Sequence, residues 1–231
     1  MTNKIIGIQG DKLDKINISS DTSIFLAHEA QKLGYKIFYY TPSNLSIIKN
    51  KTYANGVFVK LNYERKKFYK IYKKQKIDVE NLKFILIRQD PPFNSEYLIT
   101  TLILDDLKKT RVINNPVAIR NVSEKLYSKK FIKYMPDTIF SNNIEEVKKF
   151  YKQNKSIIMK PINGYGGNQI HLIKNKFNKK LITNFLNKNG HSMFQKFLKN
   201  ISKGDKRVFI INGKVCGAIS RVPKKGSYLS N

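Results

Sequence analysis

One lysine and three glycines carry the clearest chemical signal in the chain. Residues 157–173 read I-I-M-K-P-I-N-G-Y-G-G-N-Q-I-H-L-I. An apolar run ends in Lys160, Pro161 stops it, and Gly164, Tyr165, Gly166 and Gly167 make a loop before a second apolar run, Ile170 to Ile173. Closely spaced glycines let the backbone turn through positive φ and bring bare N–H groups near an anion. A lysine at the mouth of such a loop is a point charge placed to meet a phosphate. The spacing is not G-x-x-x-x-G-K-[ST], and no helix-forming run follows at once, so the segment is no P-loop. It reads as a strand–loop–strand flap. The same residues would also serve a plain hairpin with a glycine turn.

These residues need elements to hold them. In the second half of the chain the spacing predicts a strand over 138–140, a helix over 144–151, a strand over 156–160, a helix over 181–186 and a strand over 191–197. Asn212-Gly213 between residues 205–211 and 214–221 is a two-residue hairpin signal. Arg207 and Arg221 fall on facing strands of that hairpin, at positions that read as interior. The lone Cys216 lies in its apolar run and reads as buried filler.

The first half has another rhythm. Residues 5–9 read as a strand, and Asn17, Ser19, Ser20 and Asp21 as a capping loop. A helix follows up to Gly34, then a strand over 36–40: a β-α-β opening of an open α/β sheet. The Rossmann glycine fingerprint is absent, although such sheets bind ligands at the carboxyl ends of their strands. Residues 45–59 read as short strands with turns at Asn50 and Asn55-Gly56. Residues 84–87 read as a buried strand delivering Arg88, Gln89 and Asp90 into a Pro91-Pro92 corner. Ser95 then caps a helix to about Lys108, a strand follows at 112–113, and a boundary falls near Asn121.

Composition narrows the function classes. A chain of 231 residues, 41% apolar, builds a real core as one large domain or two small ones. No apolar run reaches the ~18 residues of a membrane span, and Met1 to Gln9 run straight into a strand-like pattern without a signal-peptide layout. One cysteine excludes an internal disulfide and a cysteine-based zinc site, and the expected setting is the cytoplasm. The net charge is +28, yet only six of the 44 basic residues are arginine, leaving 38 lysines scattered among Asn and Ile. Base-reading proteins lean on arginine, so a nucleic-acid partner is not the favoured expectation. The densest block, Lys66 to Lys76, is interleaved with Phe68, Tyr69, Ile71 and Tyr72 and reads as an amphipathic helix with a wet face.

The order of these pieces resembles the ATP-grasp carboxylate–amine ligases, and within them the prokaryotic glutathione synthetase family. The residues carrying the likeness are Ile16-Asn17-Ile18 with Asp21, Arg88 to Phe93, Asn114 with Pro116, and Arg120 with Glu124-Lys125-Leu126. Lys160-Pro161 with the glycine loop, Gly204 to Arg207, and Arg221-Val222-Pro223 complete the set, collinear over nearly the whole chain. The resemblance implies an N-terminal open α/β pre-ATP-grasp domain over 1–121 and an incomplete ATP-grasp fold of α+β type. Within the latter it implies a central subdomain with the flap over 122–199 and the start of a C-terminal subdomain over 200–231.

It also implies roles. Lys125 and Lys160 hold the α- and β-phosphates of ATP, and the N–H groups of Gly164, Gly166 and Gly167 close over the β- and γ-phosphates. Gln195, Lys196, Phe197 and Leu198 meet the adenine edge, and Asp205 takes the ribose hydroxyls. Arg207 and Arg221 reach the transferred phosphoryl group and the substrate carboxylate, and Asn17, Asp21 and Asp90 line the peptide side. The implied reaction joins γ-glutamylcysteine and glycine through an acyl phosphate, with Mg2+ as companion to ATP and a homo-oligomeric assembly. The family continues past the point matching Asn231, and there it carries the acidic and amide residues that bind magnesium. A truncated or split chain is therefore expected, which alone binds ATP weakly and catalyses nothing and leaves its last strands with an open edge. The family pattern also has a basic residue where Gln89 stands, and an acidic residue and an arginine where residues 226–231 stand. Another ATP-grasp ligase with a different carboxylate substrate, a basic nucleic-acid-binding protein and an inert scaffold are the competing readings.

Overall fold

The computed structural model describes residues 4–63 and 67–227. Lys66, at the head of the lysine block, and the last four residues of the 226–231 segment lie outside the described residues. The chain divides into two compact units, Met1–Val122 and Ser123–Asn231.

The first unit is a sheet with helices on both faces. Strand β1 (Ile5–Gln9), helix α1 (Thr22–Lys32) and strand β2 (Lys36–Tyr40) form the β-α-β opening, with β1 and β2 parallel. Asp21 starts α1 by accepting the Ile24 N–H at 2.7 Å, and Gly34 ends it in the left-handed region at φ 84°. Then come β3 (Leu45–Ile48), β4 (Lys51–Leu61), β5 (Tyr69–Asp78), β6 (Phe84–Ile87), α2 (Ser95–Asp105), β7 (Arg111–Ile113) and α3 (Pro116–Asn121). The strand order is β3-β4-β2-β1-β6-β7, with β5 on the far side of β4. Alternation along the strands sorts the core. Ile6, Ile8, Ile37 and Tyr39 share one cluster with Ile24 and Ala27 of α1, while Phe38, Tyr40, Ile85 and Ile87 share the other with Leu104 of α2. Full burial of a side chain such as Ile6 or Ile24 stabilises the unit by about 1.5–3 kcal/mol.

Three expectations fail in this unit. The lysine block is not a helix: residues 69–78 form β5, paired with β4 from Tyr53↔Asp78 to Leu61↔Tyr69. An edge strand exposed on both faces carries lysines without needing a helical stripe, and its charges discourage pairing with another chain. Lys76 lies over the Tyr53 ring at 4.9 Å. Asn55-Gly56 is not a turn either, because β4 runs through it and the reversal into β4 is made at Lys49 and Asn50, both at positive φ. Gly56 is there for close approach: a Cβ would stand 2.5 Å from the Phe38 ring. Finally, Asn94 rather than Ser95 caps α2, accepting the Tyr97 N–H at 3.0 Å, and the helix ends at Asp105.

The second unit is built on an antiparallel sheet. A 3₁₀ helix (Leu126–Tyr134) leads into β8 (Thr138–Ser141), α4 (Ile144–Asn154), β9 (Ile157–Pro161), β10 (His171–Ile173), α5 (Lys179–Asn189) and β11 (Ser192–Lys196). The order is β10-β9-β11-β8. Asn143 and Asn178 cap the two helices by accepting the N–H groups of Glu145 and Leu181. One sheet face, with Ile157, Met159, Ile173 and Phe194, packs on Val147 and Phe150 of α4 and on Ile182, Phe185 and Leu186 of α5. The other face carries Ile158, Lys160, Met193 and Gln195, because successive residues alternate sides. Beyond the sheet, β12 (Asp205–Ile211) and β13 (Lys214–Arg221) form the hairpin over Asn212-Gly213. Most of the hairpin is exposed, Cys216 included, so that cysteine is not core filler.

Candidate active site

A cleft of about 670 Å³ opens against the free face of the second unit's sheet. Ile158, Lys160, Met193 and Gln195 rise from that face, and Lys125 comes from the turn before the 3₁₀ helix. Gly164 to Gly167 line it from the loop between β9 and β10, Lys196 to Leu198 from the end of β11, and Asp205, Arg207 and Arg221 from the hairpin. Every nucleotide-side residue singled out in the sequence therefore borders one cavity.

The loop earns its glycines unequally. Gly166 and Gly167 sit at φ 58° and 75°, a region that side chains disfavour. Gly164 has ordinary φ but packs so closely on the Pro161 ring that a Cβ would not fit. The turn is held by Gly164 N–H donating to Pro161 O at 3.3 Å and Asn168 N–H donating to Tyr165 O at 3.0 Å. Lys125 donates its ammonium to Gly164 O, tying the lower wall of the cleft to the loop.

Two ammonium groups meet here. Burial pushes Lys160 below the ordinary lysine value, the charge of Lys125 pushes the same way, and Glu124 opposes both. The Lys160 ammonium donates to a neutral acceptor, Gln195 Oε1, at 2.7 Å. Lys125 has Glu124 at 3.4 Å, but that carboxylate is 73% exposed and screens it weakly. An anion entering the cleft would relieve both lysines. The residues thus fit a polyphosphate: two cations at the floor, a turn of closely approachable backbone above, and an apolar wall of Ile158 and Met193.

The hairpin residues differ from expectation. Arg207 is exposed rather than interior. Arg221 is half-buried and holds Asp205 with two hydrogen bonds, both 2.7 Å, from Nε to Oδ1 and from Nη2 to Oδ2. The register pairs Asp205 with Arg221, which puts these two and Arg207 on one face. The carboxylate assigned to a ribose and the guanidinium assigned to a phosphoryl group are bonded to each other in this structure.

The three residues expected on the peptide side belong to the first unit. Asp21 is the α1 cap, and Asn17 holds its own turn by accepting from Ser19 N–H at 3.2 Å and Ser19 Oγ–H at 2.7 Å. Asp90 is pushed above the ordinary carboxylate value by desolvation and by the charges of Asp11 and Asp21, with Arg88 opposing. Asp21 and Asp90 thus share one electrostatic neighbourhood at the carboxyl ends of β1 and β6, whereas Asn17 serves its loop. Sequence reasoning missed Asp11, which accepts the Asp90 N–H at 2.9 Å, and left Arg88 without a role. Arg88 donates to Ser23 Oγ at 3.0 Å and to Thr22 Oγ1 at 2.8 Å. Position at a strand's carboxyl end was the signal available for both.

Relatives decide the family. The family model of the prokaryotic glutathione synthetase N-terminal domain matches residues 5–120, and that of the prokaryotic glutathione synthetase ATP-grasp domain matches residues 124–231. The chain belongs to the prokaryotic glutathione synthetase family. A glutathione synthetase from Mesorhizobium japonicum is 36% identical over 230 residues, covering 98% of this chain and 74% of the relative. One from Buchnera aphidicola of Acyrthosiphon pisum is also 36% identical, over 234 residues, covering 98% of this chain and 72% of the relative. Among solved structures, D-alanyl-alanine synthetase A from Vibrio cholerae matches all of this chain and 70% of its own, at TM-score 0.60 and 15% identity. The ATP-grasp ligase PsnB, solved with a precursor variant, Mg and ADP, matches 98% of this chain and 74% of its own at TM-score 0.61 and 15% identity. At such identities the likeness speaks for the fold alone, an α/β N-terminal domain followed by an ATP-grasp fold. Among the described residues no helix is long and apolar enough to cross a membrane, and no three His, Cys, Asp or Glu side chains gather as a metal site.

Proposed function

We propose that this glutathione synthetase family member binds ATP in the cleft of its second unit and serves the ATP-dependent joining of γ-glutamylcysteine to glycine. The observation that carries the reading is the pair Lys125 and Lys160 beneath the glycine turn, two adjacent cations lining one cleft. In this reading Lys125 and Lys160 bind the α- and β-phosphates, and the N–H groups of Gly164, Gly166 and Gly167 cover the β- and γ-phosphates, Gly164 giving up its long bond to Pro161 O. The ends of the two walls, Gln195 to Leu198 and Asp205, receive adenine and ribose. Arg207 and Arg221 orient the substrate carboxylate and the transferred phosphoryl group. Asn17, Asp21 and Asp90 are the peptide-side residues.

The carboxylate oxygen of γ-glutamylcysteine bonds to the γ-phosphorus while the bond to ADP breaks. The glycine amine then bonds to the acyl carbon, phosphate leaves, and the amine sheds a proton to solvent. Cationic side chains and backbone donors aimed at these anions lower the barrier, each well-placed donor by on the order of 3 kcal/mol. A turn that covers the acyl phosphate also keeps water from it. Mg2+ would neutralise phosphate charge alongside the two lysines. A cytoplasmic setting and a homo-oligomeric assembly belong to the same proposal.

Phosphate release is the test. With the chain extended to its relatives' full length, mixing protein, ATP, Mg2+, γ-glutamylcysteine and glycine is expected to release phosphate only when both γ-glutamylcysteine and glycine are present. Release that ignores γ-glutamylcysteine but follows another carboxylate would sink the substrate assignment while leaving the nucleotide site standing.

A further inference from the structure

The floor of the cleft holds a hydrogen-bond chain that begins at Lys160 and ends at Pro136, which lines the same cavity. Lys160 donates to Gln195 Oε1 at 2.7 Å, Gln195 Nε2 donates to Thr138 Oγ1 at 3.0 Å, and Thr138 Oγ1 donates to Pro136 O at 2.6 Å. The register explains why these side chains meet. Gln195 lies directly across from Thr138 on β8 and from Ile158 on β9, and Lys160 is two residues beyond Ile158 on the same face. Gln195 is buried.

Both ends of the chain dictate which way the Gln195 amide points. The Lys160 ammonium has only donors, so it requires the amide oxygen. Thr138 has a single hydroxyl hydrogen, and the carbonyl of Pro136, which has only lone pairs, takes it. Thr138 can then only accept from Gln195, so the amide NH2 must face Thr138. The two constraints are independent and agree. A flipped amide would set an NH2 against an ammonium at one end and two acceptors together at the other.

We propose that Gln195 and Thr138 are positioning residues for nucleotide binding: Thr138 locks the Gln195 amide so that its oxygen holds the half-buried Lys160 ammonium aimed into the cleft before any phosphate arrives. The inference rests on the reading of Lys160 as a phosphate ligand. It gives the Gln195 side chain a duty separate from the adenine contact assigned to that stretch. Burial and Lys125 both disfavour charge on Lys160 and Glu124 favours it; the amide oxygen at 2.7 Å is the neutral acceptor in direct contact with the ammonium. The other charged groups lining the cleft are Glu124, Lys196, Asp205, Arg207 and Arg221.

Thr138→Val keeps the shape and removes the lock, while Thr138→Ser keeps the hydroxyl. Two readouts are needed on the full chain. The first is the titration of the Lys160 ammonium without nucleotide, followed by lysine side-chain NMR and assigned by the signal absent from Lys160→Arg. The second is ADP affinity by calorimetry. Thr138→Val is expected to move the Lys160 titration to lower pH and weaken ADP about tenfold, and Thr138→Ser to restore both. If Thr138→Val does not fold, Gln195→Met removes the acceptor directly and is expected to shift the titration the same way. An unchanged Lys160 titration in the variant that folds, or a serine variant as defective as the valine one, overturns the proposal. If the wild-type chain binds no ADP, the nucleotide reading falls, and the titration still judges the lock by itself.

Discussion

Within the second unit the sheet β10-β9-β11-β8 and the hairpin β12-β13 both feed the cleft, but they are built differently. The sheet has α4 and α5 packed on one face, with Ile157, Met159, Ile182 and Phe194 fully buried. The hairpin carries Val208, Phe209, Ile210, Ile211 and Val215, each 46% exposed or more. The sheet side presents a cation held by a chain of part-buried polar groups. The hairpin side presents Asp205 and Arg221, which hold each other across the two strands. The proposed grip on a phosphate tail is therefore preorganised on a packed scaffold. The residues expected to meet ribose and carboxylate stand on a ribbon whose described residues have little core beneath them. A two-stranded ribbon is marginal by itself, so its charges are positioned by their own pairing.

The largest expected difference is in stability. Phe194→Ala should destabilise the second unit by about 3–5 kcal/mol, whereas Phe209→Ala should stay within about 0.5 kcal/mol, both read from denaturant unfolding. Equal losses would break the contrast between packed sheet and bare ribbon. A smaller effect sharpens it on the hairpin side. Arg221 and Asp205 side chains are 26% and 31% exposed, so a double-mutant cycle with Arg221→Ala and Asp205→Ala should give a coupling of about 1 kcal/mol. A coupling near zero would mean that the pair does not organise the ribbon.

The smallest effect is a pH slope. Lys160 in the folded state titrates below its ordinary 10.5, so the folded chain binds fewer protons than the unfolded chain between those two values. Stability should therefore rise with pH across that window, because the penalty for a buried ammonium is fully present below the folded value and is relieved above it. Lys160→Met should remove that component from the urea-unfolding midpoint.

How much of this was legible in the sequence depends on whether a signal was local. Asn212-Gly213 gave the hairpin with its bounds because both residues adopt positive φ, 51° and 77°, as a two-residue turn demands. Lys160 and its glycines were legible because a strand end, a proline and a glycine loop are consecutive. Asn55-Gly56 carried the same local turn signal and misled, because the Phe38 ring on the neighbouring strand requires a glycine there. The lysine block misled because residues 69–78, exposed on both faces, satisfy a helical and an alternating pattern alike. Cys216 misled because an apolar run does not say what covers it. The lock on Lys160 was out of reach: Thr138 and Gln195 are 57 positions apart, and only the register of β8 against β11 brings them together.

The central claim is that Lys160 and Lys125 hold a nucleotide by the phosphates beneath the glycine turn. Comparing ADP with AMP isolates that grip, since the two share base and ribose and differ in the β-phosphate. Calorimetry on the wild-type chain should show ADP binding at least tenfold tighter than AMP, and Lys160→Met should erase most of that preference. A preference for ADP that survives intact in Lys160→Met would contradict the account.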